Sequence, residues 1–291
     1  MDLSLFLPPL VACLVIVAIH SYLGLHVIAR EVIFVDLSLA QMAALGSAVA
    51  ILAGSQPDSY TAFIYALGFT TLGAATFALT RTSERGAVPQ EAIIGIVYVM
   101  ASAAAILVAD RTPRGGEAIK DILVGSLLWV TWPVILRLAG IYALVGLVHW
   151  ALRRRFLTIS FSPETALGLG WKIRWWDFLF YLTFGIVITF SVPIAGVLLV
   201  FSFLVVPAAV AFQFTRRQGT LALISWLSGA LASALGLWVS FHYDLPTGPV
   251  IVCMFGLVLL AAYLLRRIVA VSHPERSEGS LKGPVEMGAR T

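Results

Sequence analysis

The chain has 291 residues, of which 60% are hydrophobic and only 12% charged, and its formal net charge is +4. A soluble globular chain carries about a quarter charged residues. Here the charges fall in short clusters between apolar runs long enough to cross a bilayer, which excludes a water-soluble core. The basic residues lie at span ends and in short loops, so the positive charge reflects membrane topology and not a nucleic-acid partner.

In chain order, hydropathy predicts nine spans, over residues 9–28, 32–53, 60–80, 92–109, 132–152, 178–191, 194–212, 221–241 and 249–265. The first lacks a basic leader and a small-x-small cleavage site, so it reads as a retained span. Cys13 and Cys253 both fall inside spans and read as small packing residues. The apolar piece 118–129 is too short to span and reads as re-entrant or interfacial. Thr131 followed by Pro133 marks a helix start. The sixth span, 178–191, is the weakest; if it and 194–212 form one broken element, the count is eight. Small residues recur at four-residue spacing, as in Ala40, Ala44 and Ala48 or Ser228, Ala232, Gly236 and Ser240, which lets helices pack closely in lipid. The tail 272–291 is polar and rich in Gly, Pro and Ser, so disorder is expected there and residues 1–271 form one membrane domain.

Alternating spans put Arg30, Arg81, Arg85, Arg153, Arg154, Arg155, Lys172, Arg174, Arg216, Arg217, Arg266 and Arg267 on one side. The other side keeps Arg111, Arg114, Lys120 and Arg137, the first three offset by Asp110, Glu117 and Asp121. The basic side is expected to be cytoplasmic, with the C-terminus on it. The N-terminus lies outside with nine spans and inside with eight.

Four stretches go beyond this generic pattern. Residues 24–46 read GLHVIAREVIFVDLSLAQMAALG and residues 91–98 read EAIIGIVY. Residues 162–166 read SPETA, followed by Gly168 and Gly170. Residues 196–200 read GVLLV, followed by PAAVA at 207–211 and YDLPTGP at 243–249. In this order and spacing the chain resembles, over about residues 10–268, the permease subunits of the bacterial zinc/manganese/iron ABC importer family. The resemblance implies an all-α polytopic transmembrane bundle of eight to nine spans, with the metal/cobalamin-type importer permease architecture. It implies a dimer of permeases, identical or different, around a central pathway in the bacterial inner membrane. A separate cytoplasmic ATPase subunit hydrolyses ATP, and an extracytoplasmic metal-binding protein delivers the divalent ion. The chain itself contains no Gly-x-x-x-x-Gly-Lys-Ser/Thr loop, holds no permanent cofactor and is not expected to be an enzyme.

The resemblance also assigns residues. The segment at about 212–222 stands where the family carries its coupling helix, so Arg216 and Arg217 would meet an acidic ATPase groove; plain positive-inside anchoring is the other reading. Pro207 would end the preceding helix and open the turn into that segment. Many relatives place an Asp and a His one turn apart on the second span, a pair suited to a borderline divalent ion. The matching positions here are Leu37 and Gln41, and Asp36 points about 100° away from Leu37. His20 and Gln41 lie about 15 Å from the cytoplasmic ends of their spans. A pathway lined by His20, Gln41 and Asp36 is therefore one expectation, and a structural His20 bonded to a backbone carbonyl is the other.

At the outer mouth, His242 could serve as an entry ligand, while Asp244 either bonds the turn amides or receives metal. Glu91, at the start of the fourth span, complements a helix dipole or takes part in metal exit or ATPase contact, and Glu164 carries the same pair of readings. His26 and His149 are expected at the interface. Three other classes remain as alternatives: a permease for a metal chelate or another small solute, an ATP-independent carrier, and an intramembrane enzyme. A carrier would show inverted repeats with broken helices. An intramembrane metalloprotease would show His-Glu-x-x-His. The sequence has neither.

Overall fold

The computed structural model describes residues 3–56, 59–81, 88–112 and 125–272. A backbone in hydrocarbon must satisfy its own hydrogen bonds, so long apolar runs become helices. The described helices are α1 (Leu3–Ala29), α2 (Val35–Leu52), α3 (Tyr60–Leu79), α4 (Gln90–Ala109), α5 (Trp132–Ala151), α6 (Arg153–Phe161), α7 (Pro163–Gly168), α8 (Ile173–Ala195), α9 (Val197–Phe214), α10 (Gln218–Tyr243) and α11 (Thr247–Ser272). Among the described residues, nine of these are long and apolar enough to cross a membrane; α6 and α7 are not.

Local chemistry sets the ends. Ser59 caps α3, its hydroxyl accepting the Ala62 N–H at 3.2 Å. Pro133 sits in the first turn of α5, as its sequence position predicts. The weak sixth span proves to be a full helix, α8, separate from α9. Their joint is the single residue Gly196, at φ 78°, a left-handed conformation that favours glycine. The span pattern is therefore the nine-span one. Of the piece 118–129, residues 118–124 lie outside the described residues. The remainder holds one 3₁₀ turn, Leu127–Trp129, and the Ser126 N–H bonds the Ile194 carbonyl at 2.9 Å beside that joint. The tail 273–291 also lies outside the described residues.

The core is built from α1, α8 and α9, with Ile16, Leu23, Phe180, Phe184, Phe203 and Leu204 fully buried. Around it, α2 packs on α3 and α4, α3 on α8, α10 on α1 and α9, and α11 on α9 and α10. Helices α4, α5 and α11 turn apolar side chains such as Leu107, Leu136 and Leu257 outward, where lipid would meet them. Cys13 is buried in the core as expected, whereas Cys253 is exposed on α11.

Two expectations are corrected. Pro207 does not end its helix: α9 runs on to Phe214 with Pro207 buried inside it. The hydrogen bond that proline cannot donate is one local loss, offset by apolar contacts along a helix buried on several sides. In consequence, residues 212–222 hold no helix of their own. Thr215, Arg216 and Arg217 link the end of α9 directly to the start of α10. The non-spanning helical pieces are instead α6 and α7, between α5 and α8. They reach the same face, because Phe161 of α6 packs with Leu25, Phe212 and Leu221.

Candidate functional site

The basic ends of the spans meet in a buried polar layer. Asp177, in the second turn of α8, is fully buried and faces two guanidinium groups. Arg30 Nη1 lies 2.8 Å from one carboxylate oxygen, and Arg81 pairs with the other. Arg30 Nε donates to Ser160 Oγ at 2.7 Å, and its guanidinium lies 4.0 Å from the Phe180 ring centre. Ser160 Oγ also bonds His26 Nδ1 at 2.8 Å. One turn deeper, His149 Nε2 lies 2.8 Å from Thr183 Oγ1, and its Nδ1 is 3.3 Å from the Tyr22 hydroxyl. The ends of α1, α3, α6 and α8 are thus tied by charge and hydrogen bonds. Removing one partner of such a buried pair is far costlier than losing a surface pair.

His26 and His149, expected at the interface, are both buried: Tyr22 and Thr183 meet both ring nitrogens of His149, and Ser160 meets Nδ1 of His26, whose Nε2 has no partner. Sequence reasoning missed this layer. One signal was available: Asp177 is a lone acid at the mouth of an apolar run, and such a residue needs a cation. Its partners Arg30 and Arg81 lie 147 and 96 positions away, which spacing cannot reveal.

His20 is hydrogen-bonded on both ring nitrogens within the bundle. Its Nδ1 donates to the Ile16 carbonyl at 2.9 Å, and its Nε2 lies 3.3 Å from Ser191 Oγ, which in turn meets the Tyr142 hydroxyl. It faces α5 and α8, whereas Asp36 and Gln41 stand on α2, which packs on α3, α4 and α8. The three residues are not assembled into one site. Among the described residues, no three His, Cys, Asp or Glu side chains converge as metal ligands. Asp36 lies in the first turn of α2, at the basic end rather than at mid-membrane. It is buried, and neither carboxylate oxygen has a hydrogen-bond partner. Two residues along α2, the buried Ser38 hydroxyl is also unpaired. Gln41 is half-buried.

Glu91 acts on a neighbouring helix as well as its own. Its Oε1 accepts the Phe34 N–H at 3.0 Å, at the start of α2, while Oε2 is buried without a partner. Glu164 is exposed in the first turn of α7. On the opposite face, His242 stacks on Trp238 with ring centres 5.3 Å apart. Asp244 adopts the left-handed conformation at the end of α10 (φ 51°) and its side chain is exposed. The turn is held by Ser240, whose carbonyl accepts the Leu245 N–H at 3.0 Å and whose hydroxyl reaches the Leu245 carbonyl at 2.8 Å. Arg216 and Arg217 are exposed, with the Arg216 guanidinium 5.1 Å from the Phe212 ring centre.

Nine apolar helices, closed on one face by buried charge pairs, define a multi-pass membrane protein. The chain belongs to the ABC 3 transport family, whose model matches residues 2–266. It is 28% identical over 190 residues to a protein of Chlamydia trachomatis described as a "Probable metal transport system membrane protein", covering 64% of this chain and 63% of that one. It is 24% identical over 230 residues to the manganese transport system membrane protein MntC of Listeria innocua, covering 77% of this chain and 80% of the relative. The chain spans about 63% of the length of the first curated relatives it matches. Its fold is that of a solved structure, PsaBC from Streptococcus pneumoniae in complex with Fab, at TM-score 0.73 and 21% identity, covering 88% of this chain and 90% of that one.

Proposed function

We propose that this chain is the membrane-spanning permease subunit of an ATP-driven importer for a divalent metal ion in the bacterial inner membrane. A separate ATPase subunit docks on the basic, cytoplasmic face, which also carries the C-terminus. An extracytoplasmic binding protein delivers metal to the opposite mouth, near His242 and Asp244. A second permease completes the pathway. Family membership and relatives described as metal and manganese transport proteins support this class. The ATPase surface comprises the 215–217 link, with Arg216 and Arg217 exposed, together with α7 and its exposed Glu164, on the basic face.

The observation that carries cation transport is Asp36. A buried carboxylate with no protein partner costs several kcal/mol, on the order of 5, unless a cation or a proton joins it. Membrane helices rarely retain such a group without a functional reason. Asp36 and, more than a turn further along α2, Gln41 are the chain's own contribution to the metal path, and the Glu91 carboxylate lies beside the start of the same helix. Passage of the metal as a chelate is a second reading. It is favoured by Leu37 standing where relatives place a ligand, since a chelated ion brings its own.

The test is ATP-dependent uptake into vesicles holding the full chain and its ATPase, with zinc, manganese and ferrous ions offered free and chelated. Uptake by the parent complex and its loss in Asp36→Asn are expected. No uptake of any metal form overturns the transport assignment. Normal uptake by Asp36→Asn removes Asp36 from the path while leaving the class intact.

A further inference from the structure

We propose that the cleft between the end of α3, α7 and the start of α8 binds an anionic phospholipid of the leaflet on the basic side. The cleft encloses about 880 Å³, within the roughly 300–1,000 Å³ of ordinary ligand clefts. Its walls are apolar, and Leu79, Leu167 and Trp175 stand well exposed inside it. In a water-facing cleft that much open apolar surface would be a liability; at the edge of a bilayer it is a seat for an acyl chain.

The polar end of the cleft has one sign of charge. Among the described residues, Arg81, Lys172 and Arg174 line it and no carboxylate does. The adjacent Asp177 is buried and already holds Arg30 and Arg81. Among the described residues it leaves Lys172 and Arg174, both exposed, without an anion. The level is right for a headgroup. The cleft sits where α3 ends at Leu79 and α8 begins at Ile173, so the cations lie at the membrane–water boundary. Trp175 is of the residue type that collects at that boundary. Basic pockets between membrane helices on the cytoplasmic side are suited to anionic headgroups, and a phosphate over Lys172 and Arg174 with an acyl chain along the apolar wall satisfies both halves of the cleft.

Each cation near an anionic headgroup strengthens binding by a comparable increment, so removing both lowers the preference about thirtyfold. The experiment uses the full chain in phosphatidylcholine vesicles containing either brominated phosphatidylglycerol or, at the same mole fraction, brominated phosphatidylcholine. Tryptophan quenching is read as each brominated lipid is titrated. The expected result is an excess of quenching by phosphatidylglycerol at low mole fraction. Trp175→Phe reduces the excess, with Trp171 on the same cleft wall reporting the remainder, and Lys172→Gln with Arg174→Gln shifts it to about thirtyfold higher lipid fraction. Both variants change exposed side chains, and unchanged burial of the Cys13 thiol confirms their fold. Equal quenching by the two lipids overturns the proposal, as does an excess that Trp175→Phe leaves undiminished or that the cation variant leaves at the same lipid fraction. An excess that is insensitive to the cation variant yet vanishes when ATPase subunit is added also overturns it, and makes the cleft a protein-docking surface.

Discussion

The Asp177 layer allows a quantitative prediction from asymmetric burial. Asp177 has no exposed side-chain surface, Arg30 retains 2% and Arg81 22%. Asp177→Asn keeps the shape and removes the only anion shared by two guanidinium groups. Arg81 is near water and can swing out, but Arg30 is held by Ser160 and Phe180 and stays as an uncompensated buried charge. Breaking a buried pair in this way costs about 3–5 kcal/mol, a shift of a hundredfold or more in the folding equilibrium. Arg81→Gln removes a partly exposed partner and leaves Arg30–Asp177 intact, so it should cost about 1 kcal/mol, near the upper end for exposed pairs. Arg30→Met with Asp177→Leu removes both buried charges and should recover most of the loss. Unfolding can be followed by thiol labelling of Cys13, which is buried, in a Cys253→Ser background that removes the exposed thiol. The rate of labelling on heating should rank the variants as Asp177→Asn fastest, then Arg81→Gln, then the parent. Equal destabilisation by Arg81→Gln and Asp177→Asn would refute the argument from burial, and so would a parent-like Asp177→Asn.

Two further predictions rest on single contacts. A Cβ on Gly24 would lie 2.0 Å from the Leu204 carbonyl oxygen, a backbone atom that cannot rotate away; Gly24→Ala should therefore force α1 from α9 and lower thermal stability by the same labelling assay, whereas Gly95→Ala, with nothing within 4 Å, should not. Glu91→Ala removes the acceptor of the Phe34 N–H at the start of α2. By analogy with a lost helix cap this costs about 1 kcal/mol, and hydrogen exchange should accelerate over residues 33–36 while the α1–α9 core keeps its protection.

The span pattern was legible because lipid imposes one rule on every element: a run must be apolar and long enough, and it must be a helix. Eight of the predicted runs needed only their ends adjusted. The sixth was legible in part, since its polar start at Arg174 and Asp177 lowers the hydropathy of a helix that the bundle buries. The Pro207 error arose from reading a local rule where tertiary packing decides. The error over 212–222 followed from it, because a helix that does not stop at Pro207 leaves only three residues for the link. The polar layer was less legible for another reason. Arg30 and Ser160 are 130 positions apart, and each alone looks like an ordinary residue of a cytoplasmic end. His26 and His149 looked interfacial because their positions are near span ends. Burial depends on α6 folding back over them, and hydropathy carries no information on that.

Satisfied and unsatisfied polar groups divide the basic face into two parts. Around α1, α6 and α8 most of the buried polar atoms have partners; Ser21 Oγ is left over deeper in α1, and beside the ion pairs two nitrogens, His26 Nε2 and Arg30 Nη2. Those are donors or neutral nitrogens beside an ion triad that already carries two cations to one anion, so a metal ion is repelled there. At the start of α2 the leftovers are oxygens: both of Asp36, the hydroxyl of Ser38 and, one helix away, Oε2 of Glu91. Buried orphan oxygens are rare enough in folded proteins that each calls for a physical reason. Asp36 and Glu91 are the two acids among them, at the starts of α2 and α4, where an unpaired carboxylate oxygen attracts a cation. On the proposed function, a cation leaving on that side would be drawn toward the starts of α2 and α4 and repelled by the Arg30–Asp177–Arg81 layer, which carries two cations to one anion.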